Sequence, residues 1–268
     1  MMSENHLLRS LAPISGAGWE LIDEEARDRL TPGMASRRLV DFAGPHGWEF
    51  SSVTLGRVDR AEVALDGVTA VRRRIQPVVE FKVPFSLSRA ELLDGDRGAD
   101  DVDFGDLDRA ARKFVEAENA AVFHGSSGAG IEGIVPPCPH DPIVRPGEAS
   151  GYPGAVASAV DLLKRNGLEG PYGLALSREE WTRVVETGEL GGYPLFDHLK
   201  SILDGPIVWT PGLQGAVVLT LRGGDFLFHC GQDVSVGYTS HDGDAVALYL
   251  EASFTFRNVT PEAAVAIT

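Results

Sequence analysis

Gly128, Gly130 and Gly133 stand in the pattern G-x-G-x-x-G, and Glu148 follows near the distance at which a dinucleotide-binding unit places its ribose-binding acid. Such glycines let a backbone approach a pyrophosphate, but the chemistry also needs a helix N-terminus facing the phosphates. Pro136, Pro137 and Pro139 forbid that helix, so the motif reads as a flexible loop. The acidic run from Asp100 to Asp108 suggests calcium. A helix-loop-helix calcium site needs glycine at its sixth place and a bidentate Glu at its twelfth. Counted from Asp101, those places hold Asp106 and Arg112, and acids that start a helix and favour its positive end explain the run better. The histidines show no H-E-x-x-H and no zinc spacing, and His198 and His229 read as structural. There is no G-x-S-x-G elbow, and neither Cys138 nor Cys230 sits in a nucleophile signature. Only a triad assembled from residues far apart in sequence escapes this search, so the chain reads as a non-enzyme with no cofactor and no metal.

With catalysis set aside, the elements carry the reading. From Val246 to Phe256 the even positions are all apolar and the odd ones are mainly polar, the period of a half-buried strand. Phe226, Phe228 and Cys230 form one apolar strand face, Val234, Val236 and Tyr238 another, with Gly231 as a bend between them. Thr239 to Asp244 turns the chain into a hairpin. Upstream, Trp19, Ile22, Ala26 and Leu30 mark a helix stopped by Pro32 and Gly33, and Arg38 to Phe42 reads as a strand. Strands are predicted near Trp48 to Arg57, Glu62 to Leu65, Val68 to Arg74 and Val78 to Phe85, with Asp66-Gly67 as a tight turn. Such an arm is marginal in water and requires cover from another part of the protein or from another subunit. A short helix from Ser88 to Leu93 precedes the strongest helix, whose face is Leu107, Ala110, Phe114, Ala117 and Ala121. The proline-crowded stretch 136–153 must be irregular. Helices follow at Pro153 to Arg165, capped by Gly167, from the Ser177–Glu180 capping box, and from Phe196 to Leu203. Strands follow at Leu174 to Leu176, Ile207 to Thr210 and Ala216 to Leu221.

Composition narrows the partners. With 43% hydrophobic residues the chain suits a soluble globular protein, and its apolar runs fall far short of the roughly 18 residues that span a membrane. MMSENHLLRSLAP lacks the features of a secretory signal, so a cytoplasmic location is expected. A formal net charge of -15 repels phosphate backbones and makes nucleic acid an unfavourable partner. The cluster Arg72-Arg73-Arg74 reads as a solvated or interface strand face.

Five blocks in order, LVDFAGPHGWEF (39–50), GLEGPYGLALS (167–177), GGYPL (191–195), GGDFLFHCGQDVSVGY (223–238) and FTFRNVTPEA (254–263), together resemble the encapsulin shell proteins, also known as linocin-type bacteriocins. The resemblance implies an α+β chain with the tailed-bacteriophage major capsid protein fold: a peripheral domain, an axial domain and an extended β-hairpin loop. It divides the sequence into an N-terminal arm and helix at 1–46, the extended loop at 47–76, the peripheral domain at 77–171 and 222–268, and the axial domain at 172–221. The loop would lie on a neighbouring subunit, which supplies the cover the arm requires.

The same resemblance implies a homo-oligomer closed into an icosahedral compartment around a cargo enzyme, a dye-decolorising peroxidase or a ferritin-like iron-storage protein. That enzyme would be held by its C-terminal targeting peptide. Positions matching the peptide groove are Leu30, Arg37, Leu39 and Asp41 on one side and Asp233, Val234, Val236 and Tyr238 on the other. Leu39, Val234 and Val236 suit an ordinary core equally well. Thr187, Gly188, Glu189, Leu190, Gly191, Gly192 and Tyr193 would line the five-fold pore. Ala90 stands where some relatives carry a flavin-associated tryptophan, so no flavin is expected, and the pore loop has no histidine. Two rivals stay open: a viral capsid subunit packing a genome, and a bacteriocin or hydrolase-type enzyme.

Overall fold

The alternation read between Val246 and Phe256 belongs to one 14-residue strand, Ala245–Asn258, around which half of the molecule is assembled. The computed structural model describes residues 5–63, 65–186, 189–190 and 193–268. In chain order the helices are α1 (Gly16–Leu30), α2 (Arg89–Asp96), α3 (Gly105–His124), α4 (Tyr152–Arg165), α5 (Arg178–Glu186) and α6 (Leu195–Leu203). The strands are β1 (Asp41–Ala43), β2 (Ser52–Ala61), β3 (Ala70–Pro77), β4 (Val79–Ser88), β5 (Tyr172–Leu176), β6 (Glu189–Leu190), β7 (Tyr193–Pro194), β8 (Ile207–Trp209), β9 (Ala216–Thr220), β10 (Phe226–Cys230), β11 (Ser235–His241), β12 (Ala245–Asn258) and β13 (Ala264–Ile267).

Strand β12 pairs antiparallel with β4 along one edge and with β11 and β10 along the other, and β1 adds parallel to β10. A second sheet runs β13-β9-β5-β8, and every residue of β5, β9 and β13 is buried. Helix α3 joins the two cores. Leu107, Ala110, Phe114 and Val115 pack with α1, β4 and β12, while Ala121, Val122 and Phe123 pack with α4, α6 and the second sheet. Between these groups Asn119 is fully buried and fully used. Its Oδ1 accepts from Ser36 N–H at 3.0 Å, and its Nδ2 donates to Gly33 O and Pro211 O, both at 2.9 Å. One amide thus holds the segment after α1 and the loop after β8 against the same turn of α3.

The ribbon of β2 and β3 stands apart. None of its residues is buried, and Val58, Val71 and Ile75 are each more than half exposed. Of the strand expected at Glu62 to Leu65, Ala64 lies outside the described residues and Glu62, Val63 and Leu65 are not in a strand: pairing ends at Ala61↔Ala70, and the chain turns through Asp66 and Gly67, whose φ of 80° a glycine tolerates. The strand expected over Arg38 to Phe42 is also shifted. Ser36–Arg38 is a 3-10 turn tied back to Ala35, and pairing begins only at Asp41, where β10 lies alongside.

The glycine-rich segment makes a tight loop. Ser127–Ala129 is a single 3-10 turn, and Gly125 and Gly133 pack backbone to backbone, where an added Cβ on Gly133 would lie 2.3 Å from Gly125 N. Asp106 and Asp108 fall in the first turn of α3, as helix-starting acids should. Among the described residues no helix is long and apolar enough to cross a membrane, and no cluster of His, Cys, Asp or Glu could hold a metal ion.

Candidate functional site

Helix α1 and strand β11 face each other across a groove of about 330 Å³. The helix contributes Ala26 and Leu30 from its buried stripe and Asp23 and Arg27 from the next row, because positions three and four apart share a face. Its first turn is capped by Ser15, whose Oγ accepts from Gly18 N–H at 2.9 Å. The opposite wall is Asp233 and Val234, which lead into β11, then Ser235 and Val236 at its start, with Leu250, the register partner of Val236, behind. Strand β11 lies at an edge of its sheet, and the N-terminal turns Asn5–Leu7 and Arg9–Leu11 lie against it.

Arg37 fixes the floor between the two walls. Its Nε and Nη2 donate to Glu118 Oε1 (2.9 Å) and Oε2 (2.7 Å) in a bidentate pair, and Nη1 donates to Asp233 Oδ1 at 2.6 Å. Its guanidinium also lies 5.3 Å from the ring centres of both Phe42 and Phe228. Burial opposes its charge most strongly, but Glu118 and then Asp233 outweigh it and hold the group above its ordinary range. Glu118 is completely buried, and this bidentate pairing gives it a countercharge inside the fold. Asp233 sits half exposed on the rim, where the same Oδ1 also accepts from Val234 N–H at 2.8 Å. At the other end Arg9 donates to Asp23 at 2.7 Å and stacks 4.0 Å over Trp19.

The structure brings together Leu30, Arg37, Asp233, Val234 and Val236 of the eight positions matched to a peptide groove. The other three lie elsewhere. Leu39 is a core residue packed so closely on Gly173 that a Cβ there would lie 2.7 Å from its Cδ2. Asp41 accepts from Gly224 N–H at 2.5 Å and lines a separate, smaller cavity of about 180 Å³ with Leu39. Tyr238 is buried, and its hydroxyl lies 2.6 Å from His241 Nδ1.

Arg9, Asp23, Arg27 and Met34 are groove residues that the sequence did not single out. A signal existed for two of them, since Asp23 and Arg27 flank the apolar row Ile22, Ala26 and Leu30. None existed for Arg9, whose ion pair spans 14 positions and a change of direction. Of the positions matched to a pore, Thr187, Gly188, Gly191 and Gly192 lie outside the described residues, while Glu189–Leu190 and Tyr193–Pro194 pair antiparallel.

Chemically, the groove offers fixed charges of both signs at its rim and a narrow apolar base, where Val234 is half-buried and Ala26, Leu30 and Val236 are almost covered. Among the described residues it holds no histidine, cysteine or hydroxyl paired with a base. It can bind, but it carries no group placed to make or break a bond.

A family model described as "Encapsulating protein for peroxidase" matches residues 4–255. The type 1 encapsulin shell protein of Rhodospirillum rubrum is 43% identical over 267 residues, covering 97% of this chain and 95% of the relative. Among solved structures, the virus-like particle from Pyrococcus furiosus superposes with a TM-score of 0.64 at 19% identity, over 93% of this chain and 99% of that one. The structure from Microbacterium phage Oxtober96 gives 0.55 at 12% identity, over 88% and 91%. The fold is therefore that of tailed-phage capsid proteins, and the curated relatives are named as shell proteins rather than enzymes. The extent of both sequence matches makes this chain a member of the encapsulin shell protein family.

Proposed function

We propose that this chain assembles into a closed icosahedral compartment in the cytoplasm and loads a cargo enzyme through that enzyme's C-terminal peptide. The observation that carries the reading is the β2–β3 ribbon, which is tied to its own chain at its base, where Gln76 donates to Gly130 O at 2.7 Å, yet buries none of its residues and leaves Val58, Val71 and Ile75 more than half exposed. Burying those side chains against a neighbouring copy would recover about 1.5–3 kcal/mol for each one fully covered. The division into an N-terminal arm (1–46), an extended loop (47–76), a peripheral domain (77–171 and 222–268) and an axial domain (172–221) belongs to the same reading. So does a pore lined by 187–193.

For cargo, the α1–β11 groove is the docking site, with Leu30, Val234 and Val236 taking apolar side chains and Arg37 and Asp233 fixing the register. The description of the matching family, which names a peroxidase as what is encapsulated, supports a peroxidase cargo, and a ferritin-like iron-storage protein is the other candidate.

Size-exclusion chromatography with electron microscopy of the purified chain tests assembly, and a monodisperse monomer would sink it. Co-expression with a fluorescent protein carrying a candidate cargo tail tests the groove. The double variant Asp233→Ala/Val236→Ala should form particles that are empty, and unchanged loading would remove the groove assignment. Nuclease-sensitive nucleic acid inside the particles would favour a genome-packing capsid instead.

A further inference from the structure

The β13-β9-β5-β8 sheet ends in two edges of different character. Beyond β13 the proline-crowded stretch adds a short parallel segment. Ile143 N–H donates to Ala266 O at 2.9 Å, Thr268 N–H to Ile143 O at 3.0 Å, and Arg145 N–H to Thr268 O at 2.8 Å. Val144, between these anchored residues, is 82% exposed, more than any other large apolar side chain among the described residues. Its backbone is held in place by Pro142 and Pro146 and by Arg145, whose Nη1 reaches Glu179 at 3.0 Å and Glu180 at 2.9 Å. Asp141 and Glu148, both exposed, put negative charge on either side of it.

At the opposite edge, β8 ends in Trp209, which opens on a concavity of about 450 Å³ walled by Val115, Pro211 and Leu213. Arg112 and Arg178 stand on its rim beside Glu116; neither arginine is in an ion pair or a side-chain hydrogen bond among the described residues, although the charge of Arg112 is felt by Asp108. The third rim arginine, Arg29, is already bound by Glu25 (2.5 Å) and Asp108 (3.0 Å). Two exposed arginines outside any ion pair, against one carboxylate (Glu116) in the same lining, make an apolar hollow with a cationic rim on a chain of net charge -15, and match an apolar knob flanked by carboxylates.

We propose that the 141–148 turn of one copy seats Val144 in the Trp209 hollow of the next copy, with Asp141 and Glu148 meeting Arg112 and Arg178. This rests on the shell reading above. Knob and hollow lie at opposite edges of one sheet, so the contact is heterologous, joining copies head to tail, and closes into a ring when its rotation divides a full turn. The anchored turn loses little freedom on docking, which favours association.

The test uses assembled particles of the full chain carrying Val144→Cys and Glu116→Cys, the second on the exposed wall of the hollow. A short bis-maleimide should give a ladder of linked chains in the double variant, and neither single variant should exceed the unmodified chain. In parallel, Arg112→Asp/Arg178→Asp should lower the assembled fraction at least tenfold at low salt, and adding Asp141→Lys/Glu148→Lys should restore it. Restoration cannot come from a merely misfolded variant. Intact particles without the double-specific ladder would overturn this contact and leave the shell reading standing, and would fit a hollow filled by a small anionic ligand or by the ribbon. An unmodified chain that stays monomeric would overturn both.

Discussion

Two antiparallel ribbons in this molecule have similar local chemistry and opposite surroundings. The β11–β12 pair and the β2–β3 pair each carry β-branched residues on a ladder and each slip register once, between Tyr238 and Ser240 in the first and between Thr54 and Val58 in the second. On β12 the apolar face is covered by α1 and α3, and most of the strand is buried. On β2 and β3 nothing is buried. The ribbon's ion pairs, Arg72 to Asp59 at 3.7 Å and Arg74 to Asp59 at 4.0 Å, are solvent-exposed and worth little. Pairing sets register in both, but burial is what stabilises a ribbon, and on the shell reading proposed above the second ribbon takes its burial from another copy.

The strongest way to break this contrast is to cut each ribbon. Replacing residues 53–76 by a short Gly-Ser link should abolish particles in electron micrographs while the subunit keeps its far-ultraviolet circular dichroism and its urea midpoint. Phe254→Ala does the reverse. Phe254 is fully buried, stacked on Phe228 at 5.0 Å and edge-on to Phe81 at 4.8 Å, and its truncation should cost about 3–5 kcal/mol of subunit stability. If the excised subunit unfolds, the ribbon is part of the framework and the contrast fails.

Ion pairs sharpen it next. Arg37→Ala leaves Glu118 buried without its bidentate partner and should destabilise by about 3–5 kcal/mol. Arg72→Ala on the ribbon should cost under about 1 kcal/mol in the isolated subunit. Equal losses in urea melts would mean that the ribbon is not solvated.

Acid gives a smaller, directional effect. Burial lowers the pKa of His124, whose Nε2 accepts from Gln214 N–H at 2.9 Å; burial first, then Arg257 and His46, lowers that of His229. The folded state binds these protons less readily than the unfolded chain, whose histidines titrate near 6.5, so their contribution is complete above that pH and declines as pH falls below it. Subunit melts between pH 7.5 and pH 5 should show this decline, and His229→Asn should flatten it. The ribbon contains no histidine, so excising it should leave the slope unchanged.

The framework was legible in the sequence because its signal is local. Val246 to Phe256 announces a half-buried strand, and Leu107 to Ala121 announces the helix that joins the cores, since each period reports a face. What stayed hidden depends on partners far along the chain. Nothing near Glu118 or Asn119 says that polar residues will be buried there; their partners Arg37, Gly33 and Pro211 lie more than 80 positions away. Leu39 illustrates the converse, an apolar residue whose type fits groove and core alike and which packing on Gly173 assigns to the core. The ribbon's exposure was foreseeable only as a need for cover, while the described residues Glu62, Val63 and Leu65 of the strand expected there are unpaired, the ladder ending at Ala61↔Ala70 ahead of the turn at Asp66-Gly67.

The finest test compares one glycine from each ribbon. Gly237 in β11 faces Tyr249, and a Cβ there would lie 2.2 Å from the ring's Cζ, so Gly237→Ala must displace a packed aromatic and should cost about 1–3 kcal/mol as overpacking. Gly56 in β2 has open space around its Cα and a φ of 64°, so Gly56→Ala meets no neighbour and suffers only the left-handed backbone penalty of about 1–2 kcal/mol. In a ribbon that its own chain does not pack, that strain relaxes locally. The urea midpoint of the dissociated subunit should therefore stay within error for Gly56→Ala and shift for Gly237→Ala. The two variants should exchange rank when the concentration needed for assembly is measured, because a distorted ribbon fits a neighbouring copy less well. A midpoint lowered equally by both would mean that the β2–β3 ribbon is held as firmly as the sheet built on β12.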